Sequence, residues 1–239
     1  MSESYDAARR DELAANLATV HDRIGRACAT AGRDPAEVTL IAVTKFFPAS
    51  DVEHLAALGV RHVGENRDQE AGAKFAELSP DVRERLTVHF IGQLQSNKAA
   101  HVVRYADVVQ SVDRPKIATA LDRAAVAAQR TLDVLVQIDL SGATGRGGVA
   151  PEAARALADQ VAASTALHLR GVMAVAPLDA DPAEAFERLA TLAGAIRSDH
   201  PQADWLSAGM SGDLEQAVAA GATHLRVGSA ILGYRPTPR

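Results

Sequence analysis

Hydrophobic residues follow two different spacings along the chain, which predict one leading helix and then a repeated unit of strand and helix. From Tyr5 to Ala31, apolar residues recur at intervals of three and four, the period of one helical face. The residues of this stripe are Leu13, Leu17, Val20, Ile24 and Cys28. The next apolar run, 38–45 (VTLIAVTK), is continuous and rich in β-branched residues, which is typical of a strand buried on both faces.

Seven further strands are predicted, and a helical stretch follows each of them. The eight predicted strands are 38–45, 61–66, 86–92, 106–112, 132–140, 168–175, 203–208 and 223–230. Strict alternation of strand and helix predicts parallel strands joined by right-handed crossovers. Eight units in 239 residues indicate an α/β fold, a (β/α)8 TIM barrel with an extra N-terminal helix. A doubly wound open sheet is the alternative.

Composition narrows the class of protein. No low-complexity segment or linker interrupts the pattern, so residues 1–239 are predicted to form a single domain. The net charge of −5 argues against nucleic-acid binding through overall charge. Cys28 is the only cysteine, so neither an internal disulfide nor a cysteine-based zinc site is expected. The eight histidines show no metal-ligand spacing, and we expect no bound metal.

The chain carries no sequence sign of a membrane or of export. Its first residues are polar and helix-prone, without the apolar core of a signal peptide. No uninterrupted apolar stretch approaches the length that a transmembrane helix needs. We therefore expect a cytoplasmic protein. The sequence shows no exposed apolar stripe that would require a dimer, so a monomer is favoured.

Lys45 ends the first predicted strand, and chemistry in such barrels gathers at the carboxyl ends of the strands. A setting with little water favours the neutral amine, which is a nucleophile toward aldehydes. The alternative is a solvated lysine that caps a strand, and this residue taken alone favours that alternative.

Small residues and hydroxyls follow the last two predicted strands, at 207–213 and 228–229, where helices begin. Free backbone N–H groups at two neighbouring helix starts suit an oxyanion, and barrels of this kind often bind phosphate there. Ordinary turn and capping chemistry is the alternative. Arg226 alternates with apolar neighbours and is predicted to face the barrel interior, bonded either to a carboxylate or to a ligand.

The glycine-rich segment 142–148 matches neither a P-loop nor a dinucleotide-binding motif. It is interpreted as a flexible loop beside the site, in which Arg146 is a candidate contact for an anion.

Several long motifs in the right order resemble the YggS/PROSC family of pyridoxal 5′-phosphate (PLP)-binding proteins. They are AVTKFFP, HVGENRDQE, VHFIGQLQSNK, QSVD and LSAGMSGDLEQAVAAGATHLRVGSAILG. The resemblance covers about residues 10–234 and implies the barrel of the alanine racemase N-terminal domain. It also implies a role in PLP (vitamin B6) homeostasis. Ala208 and the 142–148 loop, where Arg146 replaces a lysine, depart from the common family pattern.

The resemblance assigns roles to residues that the strand ends had already singled out. Lys45 would hold PLP as a Schiff base, Asn66 would lie beside the pyridine ring, and Arg226 would face the pyridine nitrogen. The phosphate would be held by Ser207, Gly209, Met210, Ser211, Gly228 and Ser229. An arginine opposite the pyridine nitrogen leaves that nitrogen unprotonated, which weakens carbanion stabilisation.

Two functions remain open at this stage. The favoured function is PLP homeostasis, in which the chain holds PLP without robust catalysis and supplies apo-forms of PLP-dependent enzymes; no catalytic residue is assigned. The alternative is a PLP-dependent amino-acid racemase, which needs a second acid or base opposite the lysine. In alanine racemases a tyrosine from another domain supplies it, and we expect no room for such a domain here. The available tyrosines are Tyr5, Tyr105 and Tyr234.

Overall fold

The strands form a closed parallel barrel in which each strand pairs with its neighbours in sequence and the last pairs with the first. A computed structural model describes residues 2–142 and 147–234. The strands are β1 (Thr39–Val43), β2 (His62–Glu65), β3 (Thr87–Phe90), β4 (Val108–Val112), β5 (Leu132–Ile138), β6 (Leu167–Ala174), β7 (Trp205–Ser207) and β8 (His224–Val227). This architecture confirms the predicted (β/α)8 barrel and excludes the open sheet.

Helices connect the strands and cover the outside of the barrel. They are α1 (Ser2–Ala31), α2 (Ala49–Ala57), α3 (Asp68–Glu77), α4 (Pro80–Glu84), α5 (Ala99–Tyr105), α6 (Pro115–Ala127), α7 (Ala154–Ala162), α8 (Pro182–Asp199), α9 (Leu214–Ala219) and α10 (Ser229–Leu232). The short helix α4 has no counterpart in the sequence prediction. None of the helices in the described part of the chain is long and apolar enough to cross a membrane.

Several predicted strands extend beyond the observed ones, and the differences after β1 and β8 bear on the site. The first predicted strand reached residue 45, whereas β1 ends at Val43 and a turn follows it. The last predicted strand reached residue 230, whereas β8 ends at Val227 and α10 begins at Ser229. In both places the backbone turns as soon as the paired strand ends.

Helix α1 lies outside the repeating pattern and packs on the end of the chain. Every residue of its predicted apolar stripe is buried. Burial of each large member contributes about 1.5–3 kcal/mol to folding. The amide of Asn16 donates to the carbonyl of Ile231 at 2.9 Å, and Arg9 donates to that of Leu232 at 3.1 Å. Helix α1 is therefore hydrogen-bonded to α10, which follows the last strand, and stabilises its position.

The barrel interior is partly polar. An apolar cluster of Val108, Leu135 and Met173, with Trp205 packed against it, is separate from the larger core between the barrel and its helices. Polar side chains are buried beside this cluster. They are His89, Gln110, Ser207, His224 and Arg226. A buried polar group is costly without a hydrogen-bond partner, so the partners of these residues show what the interior is built to hold.

Candidate functional site

Lys45 lies in the turn that follows β1, at the carboxyl end of the barrel. Its side chain is half-buried, and its Nζ is 5.7 Å from the centre of the Phe46 ring. Within the part of the chain that the structure describes, Nζ has no hydrogen bond or ion pair. The amine is therefore positioned at the barrel mouth and available for chemistry.

Phe46 has a backbone conformation that is rare for residues other than glycine. Its φ angle is 72°, in the left-handed region. Such a conformation costs about 1–3 kcal/mol and persists only where the surroundings hold it. The Phe46 ring also lies 4.8 Å from the guanidinium carbon of Arg67. The strained turn and this ring fix the direction in which the neighbouring Lys45 leaves β1.

A buried ion pair, which the sequence did not predict, holds the backbone just before Lys45. Nζ of Lys74 lies 2.5 Å from Oε1 of Glu65 and donates to the carbonyl of Thr44 at 2.8 Å. The Thr44 hydroxyl donates to the same Glu65 oxygen at 2.7 Å. Burial raises the pKa of Glu65 although Lys74 acts against this. Because Thr44 directly precedes Lys45, the ion pair fixes the peptide that carries the amine.

Asn66 follows β2 and lies next to the start of the Lys45 turn, since β1 and β2 pair through Val43 and Gly64. Its Oδ1 is buried and has no hydrogen-bond partner among the described residues. Gly92 lets the backbone of Asn66 approach closely, because a Cβ at residue 92 would come within 2.2 Å of the Asn66 carbonyl oxygen. An unpartnered buried amide at a barrel mouth is a group that a ligand can satisfy.

Arg226 is buried in the barrel interior, as its alternation with apolar neighbours predicted. Its Nη1 donates to the Ser207 hydroxyl at 2.8 Å, and its Nη2 donates to the carbonyl of Ala174 at 2.8 Å. No carboxylate of the described residues lies within ion-pair distance of it. Burial lowers the pKa of Arg226 to about 10, so the guanidinium stays charged at neutral pH. The alternative of a structural ion pair is thereby excluded among these residues.

Ser207 belongs with Arg226 rather than with the other predicted phosphate contacts. It is fully buried, accepts from Arg226, and donates to Oε1 of Gln110 at 2.8 Å. Ser211 and Ser229 lie together elsewhere, with their hydroxyl oxygens 3.3 Å apart. The two segments after β7 and β8 therefore meet in space, as their sequence predicted.

Glycine is required in the segments that bring these serines together. Gly209 has a φ of 88°, and a Cβ there would lie 2.5 Å from that of Ala217. At residue 228 a Cβ would lie 3.3 Å from the carbonyl oxygen of Val43. Gly228 thus packs against the end of β1, two residues before Lys45. Met210 between them is partly exposed, and its N–H donates to Asp213 at 2.6 Å.

The adjacent strands β2, β1 and β8 therefore deliver three of the predicted groups to one edge of the barrel: Asn66, Lys45 and the 228–229 segment. Arg146, the candidate contact for an anion, lies outside the described residues. Tyr234, considered as a second acid or base, is 93% exposed and lies in a surface cleft beside Arg9 of α1. No group of acidic, histidine or cysteine side chains suited to a metal ion occurs in the described ranges.

The amino-acid sequence from residue 10 to residue 236 matches the profile of the family described as alanine racemase, N-terminal domain. This chain belongs to that family. A relative named pyridoxal phosphate homeostasis protein, from Mycobacterium tuberculosis, is 44% identical over 248 aligned residues. The alignment covers 95% of this chain and 94% of the relative.

Solved structures of family relatives agree with the barrel. PipY of Synechococcus elongatus, solved with PLP bound, is 38% identical and superposes with a TM-score of 0.79. The match covers 92% of this chain and 100% of PipY. Alanine racemase from Streptomyces coelicolor shares the fold, with a TM-score of 0.73 at 19% identity. That match covers 93% of this chain but 58% of the racemase.

Proposed function

We propose that this chain binds PLP reversibly and serves PLP homeostasis rather than catalysis. One observation carries the proposal: Lys45, whose amine has no hydrogen bond or ion pair to the described residues, shares the carboxyl edge of the barrel with the adjacent serines Ser211 and Ser229. PLP presents an aldehyde and a phosphate, which require such groups. The similarity to a PLP-bound relative supports the choice of ligand.

The residues of the site fit PLP. Among the described residues, Oδ1 of Asn66 has no hydrogen-bond partner and the guanidinium of Arg226 has no carboxylate, so a bound heterocycle can satisfy both groups. Lys45 would provide the attachment point for the aldehyde. The hydroxyls of Ser211 and Ser229, with the backbone of Gly209 and Gly228, would hold the phosphate, and the N–H of Met210 would join them on leaving Asp213. Ser207 would act through Arg226, to which it is bonded.

Free PLP supplies a reactive aldehyde that condenses with amines and acts as an electron sink. In this chain Arg226 would donate to the pyridine nitrogen and, as a cation, would not supply it with a proton. That arrangement favours holding the cofactor over stabilising a carbanion. Residues 1–239 would act as a single domain, a monomer in the cytoplasm, where apo-enzymes that need PLP are made.

Attachment is tested by reducing the PLP-incubated protein with borohydride and locating the modified lysine by mass spectrometry. We expect modification of Lys45 and its loss in Lys45→Ala. The control is Lys116→Ala, which changes an exposed lysine of α6. Equal PLP binding by wild type and Lys45→Ala would contradict the assignment.

The choice against catalysis is tested separately. PLP-loaded protein is incubated with single L-amino acids in deuterated water, and exchange of the α-proton is followed by NMR. We expect exchange near the rate of free PLP. Rapid exchange or racemisation would support the racemase alternative. Delivery is measured by whether the loaded protein activates an apo-enzyme faster than the PLP it releases into solution.

A further inference from the structure

A line of hydrogen bonds crosses the barrel from Arg226 to a histidine at the other end. Ser207 accepts from Arg226 and donates to Oε1 of Gln110, each at 2.8 Å. Nε2 of Gln110 lies 3.0 Å from Nδ1 of His89, and Nε2 of His89 lies 3.0 Å from Nδ1 of His62. We call these five residues the interior chain.

The interior chain runs through the middle of the molecule. Ser207 and Gln110 belong to β7 and β4, which are not neighbours in the barrel, so their hydrogen bond spans the interior. Ser207, Gln110 and His89 are fully buried. His62, the first residue of β2, is partly exposed at the amino end of the barrel. Arg226 is thus linked to the end of the barrel opposite Lys45.

The chemistry of arginine determines the direction of every bond in this chain. A guanidinium group only donates, so Ser207 must accept from Arg226 and use its single proton on Gln110. The amide oxygen of Gln110 then accepts from Ser207, and the amide N–H of Gln110 donates to Nδ1 of His89. His89 must therefore carry its proton on Nε2 and donate it to Nδ1 of His62. His62 in turn carries its own proton on Nε2.

The charge state of His89 agrees with this direction. Burial lowers its pKa well below the ordinary value, and the neighbouring His62 and His224 lower it further. Both ring nitrogens are already used, one as acceptor and one as donor. A second proton on Nδ1 would face the N–H of Gln110 and break the chain at that point.

We propose that Gln110 and His89 are positioning residues for Arg226: by fixing the proton of Ser207, they hold its oxygen as the acceptor that orients the guanidinium toward the cofactor. The role of Arg226 toward PLP rests on the proposed function, whereas the orientation itself is a property of the protein alone. Ala174 provides the second anchor through its carbonyl, and nothing else in the described interior competes for Nη1.

The ligand-free protein provides the first test, by nitrogen-15 NMR of its histidine and arginine side chains. We expect the Nε2–H tautomer for His89 and resolved guanidinium signals for Arg226. In Gln110→Leu the signals of Arg226 should broaden, because the guanidinium rotates once Ser207 is no longer held. The Nδ1–H tautomer of His89, or unchanged Arg226 signals in a folded Gln110→Leu, would overturn the proposal.

Gln110→Glu is the conservative variant. It is expected to change the protonation of His89 and to leave Arg226 unchanged. The carboxylate still accepts from Ser207, but it has no N–H for His89. His89 must then carry a proton on Nδ1 while Arg226 stays ordered: His89 becomes either the imidazolium or the reversed tautomer, and in the second case His62 also reverses and donates from its own Nδ1. A His89 without a proton on Nδ1, in Gln110→Glu with its carboxylate ionised by carbon-13 NMR, would contradict the inference, and this measurement remains available if Gln110→Leu fails to fold.

PLP binding provides the functional readout. We expect Gln110→Leu to bind PLP about tenfold more weakly, as for loss of one hydrogen bond to a charged group, and to shift the absorption of bound PLP. Gln110→Glu should restore most of the affinity. The control Val108→Ala removes interior volume from the same strand and should leave the absorption unchanged.

Equal affinity and absorption in folded Gln110→Leu and wild type would refute the positioning role. Failure of the wild type to bind PLP would instead refute the proposed function, and the NMR result would still decide the orientation.

Discussion

Three histidines inside the barrel are kept neutral by their surroundings. Burial lowers the pKa of His224 to about 3, with smaller contributions from His62, Arg170 and Arg226. Burial also lowers the pKa of His62, and that of His89 well below its ordinary value. In the unfolded chain these rings have ordinary pKa values near 6.5. Acid therefore protonates the unfolded chain before the folded protein.

This difference predicts that stability falls as the pH is lowered through about 6.5, because the unfolded state binds more protons there. For His224 the loss continues until the pH reaches its folded pKa of about 3. Between about pH 7 and pH 5, His224 alone lowers the unfolding free energy by about 2 kcal/mol. Urea denaturation at several pH values measures the slope. It should be smaller in His224→Gln and unchanged in the control His21→Gln, on the exposed face of α1. Equal slopes in all three proteins would contradict the prediction.

At the scale of elements, α3 is attached to the barrel by one buried ion pair. Lys74 of α3 reaches between Glu65 of β2 and the carbonyl that follows β1. The two side chains are 7% and 0% exposed. Removing one partner of a buried pair leaves the other charge without compensation, which costs more than losing both.

Lys74→Met is therefore expected to lower the unfolding free energy by about 3–5 kcal/mol. The double variant Lys74→Met/Glu65→Gln should recover part of this loss, since the remaining amide is neutral. Urea denaturation of both single variants and the double variant gives the coupling energy. The prediction fails if the effects of the two single substitutions simply add.

The elements and the strand-end residues were predictable because they depend on local patterns. Lys45, Arg226 and Ser229 could be found because a parallel barrel sends its strand ends to one edge. The Glu65–Lys74 pair could not be found in this way, because the two residues lie on different elements and look like ordinary surface charges in the sequence. The left-handed turn at Phe46 was also missed, because nothing in a phenylalanine indicates that conformation.

The interior chain escaped prediction for a related reason. Gln110 lies in a predicted strand, but its partners Ser207 and His89 are set by the closure of the barrel. His89 and His224 both lie in predicted strands, and the structure shows both hydrogen-bonded. Contacts across the interior need the tertiary structure.

At the scale of the whole molecule, α1 supports the segments that carry the site serines. Arg23 of α1 donates to the carbonyl of Ser211 at 3.0 Å and pairs with Glu215 of α9 at 2.9 Å. The Glu215 side chain is 47% exposed, so the pair adds little to stability. Its contribution is to hold the loop before α9.

Arg23→Met should weaken PLP binding about three- to tenfold, the effect of losing one ordinary hydrogen bond that holds the loop. The unfolding free energy should change by less than about 1 kcal/mol. Arg155→Met is the matched control, because Arg155 forms an exposed pair with Asp199 at 2.6 Å and contacts none of the site residues. Fluorescence titration with PLP measures the affinity of both variants. Equal affinities in the two variants would show that α1 does not act on the site.

The closure of the barrel by β1 and β8 also has a consequence for synthesis of the protein. Lys45 leaves the ribosome well before Arg226 and Ser229, which follow it much later in the sequence. Until β8 pairs with β1, the growing chain has a reactive amine without the groups that would hold a ligand beside it. A nascent chain therefore cannot capture the cofactor stably before β8 has been made and has paired with β1.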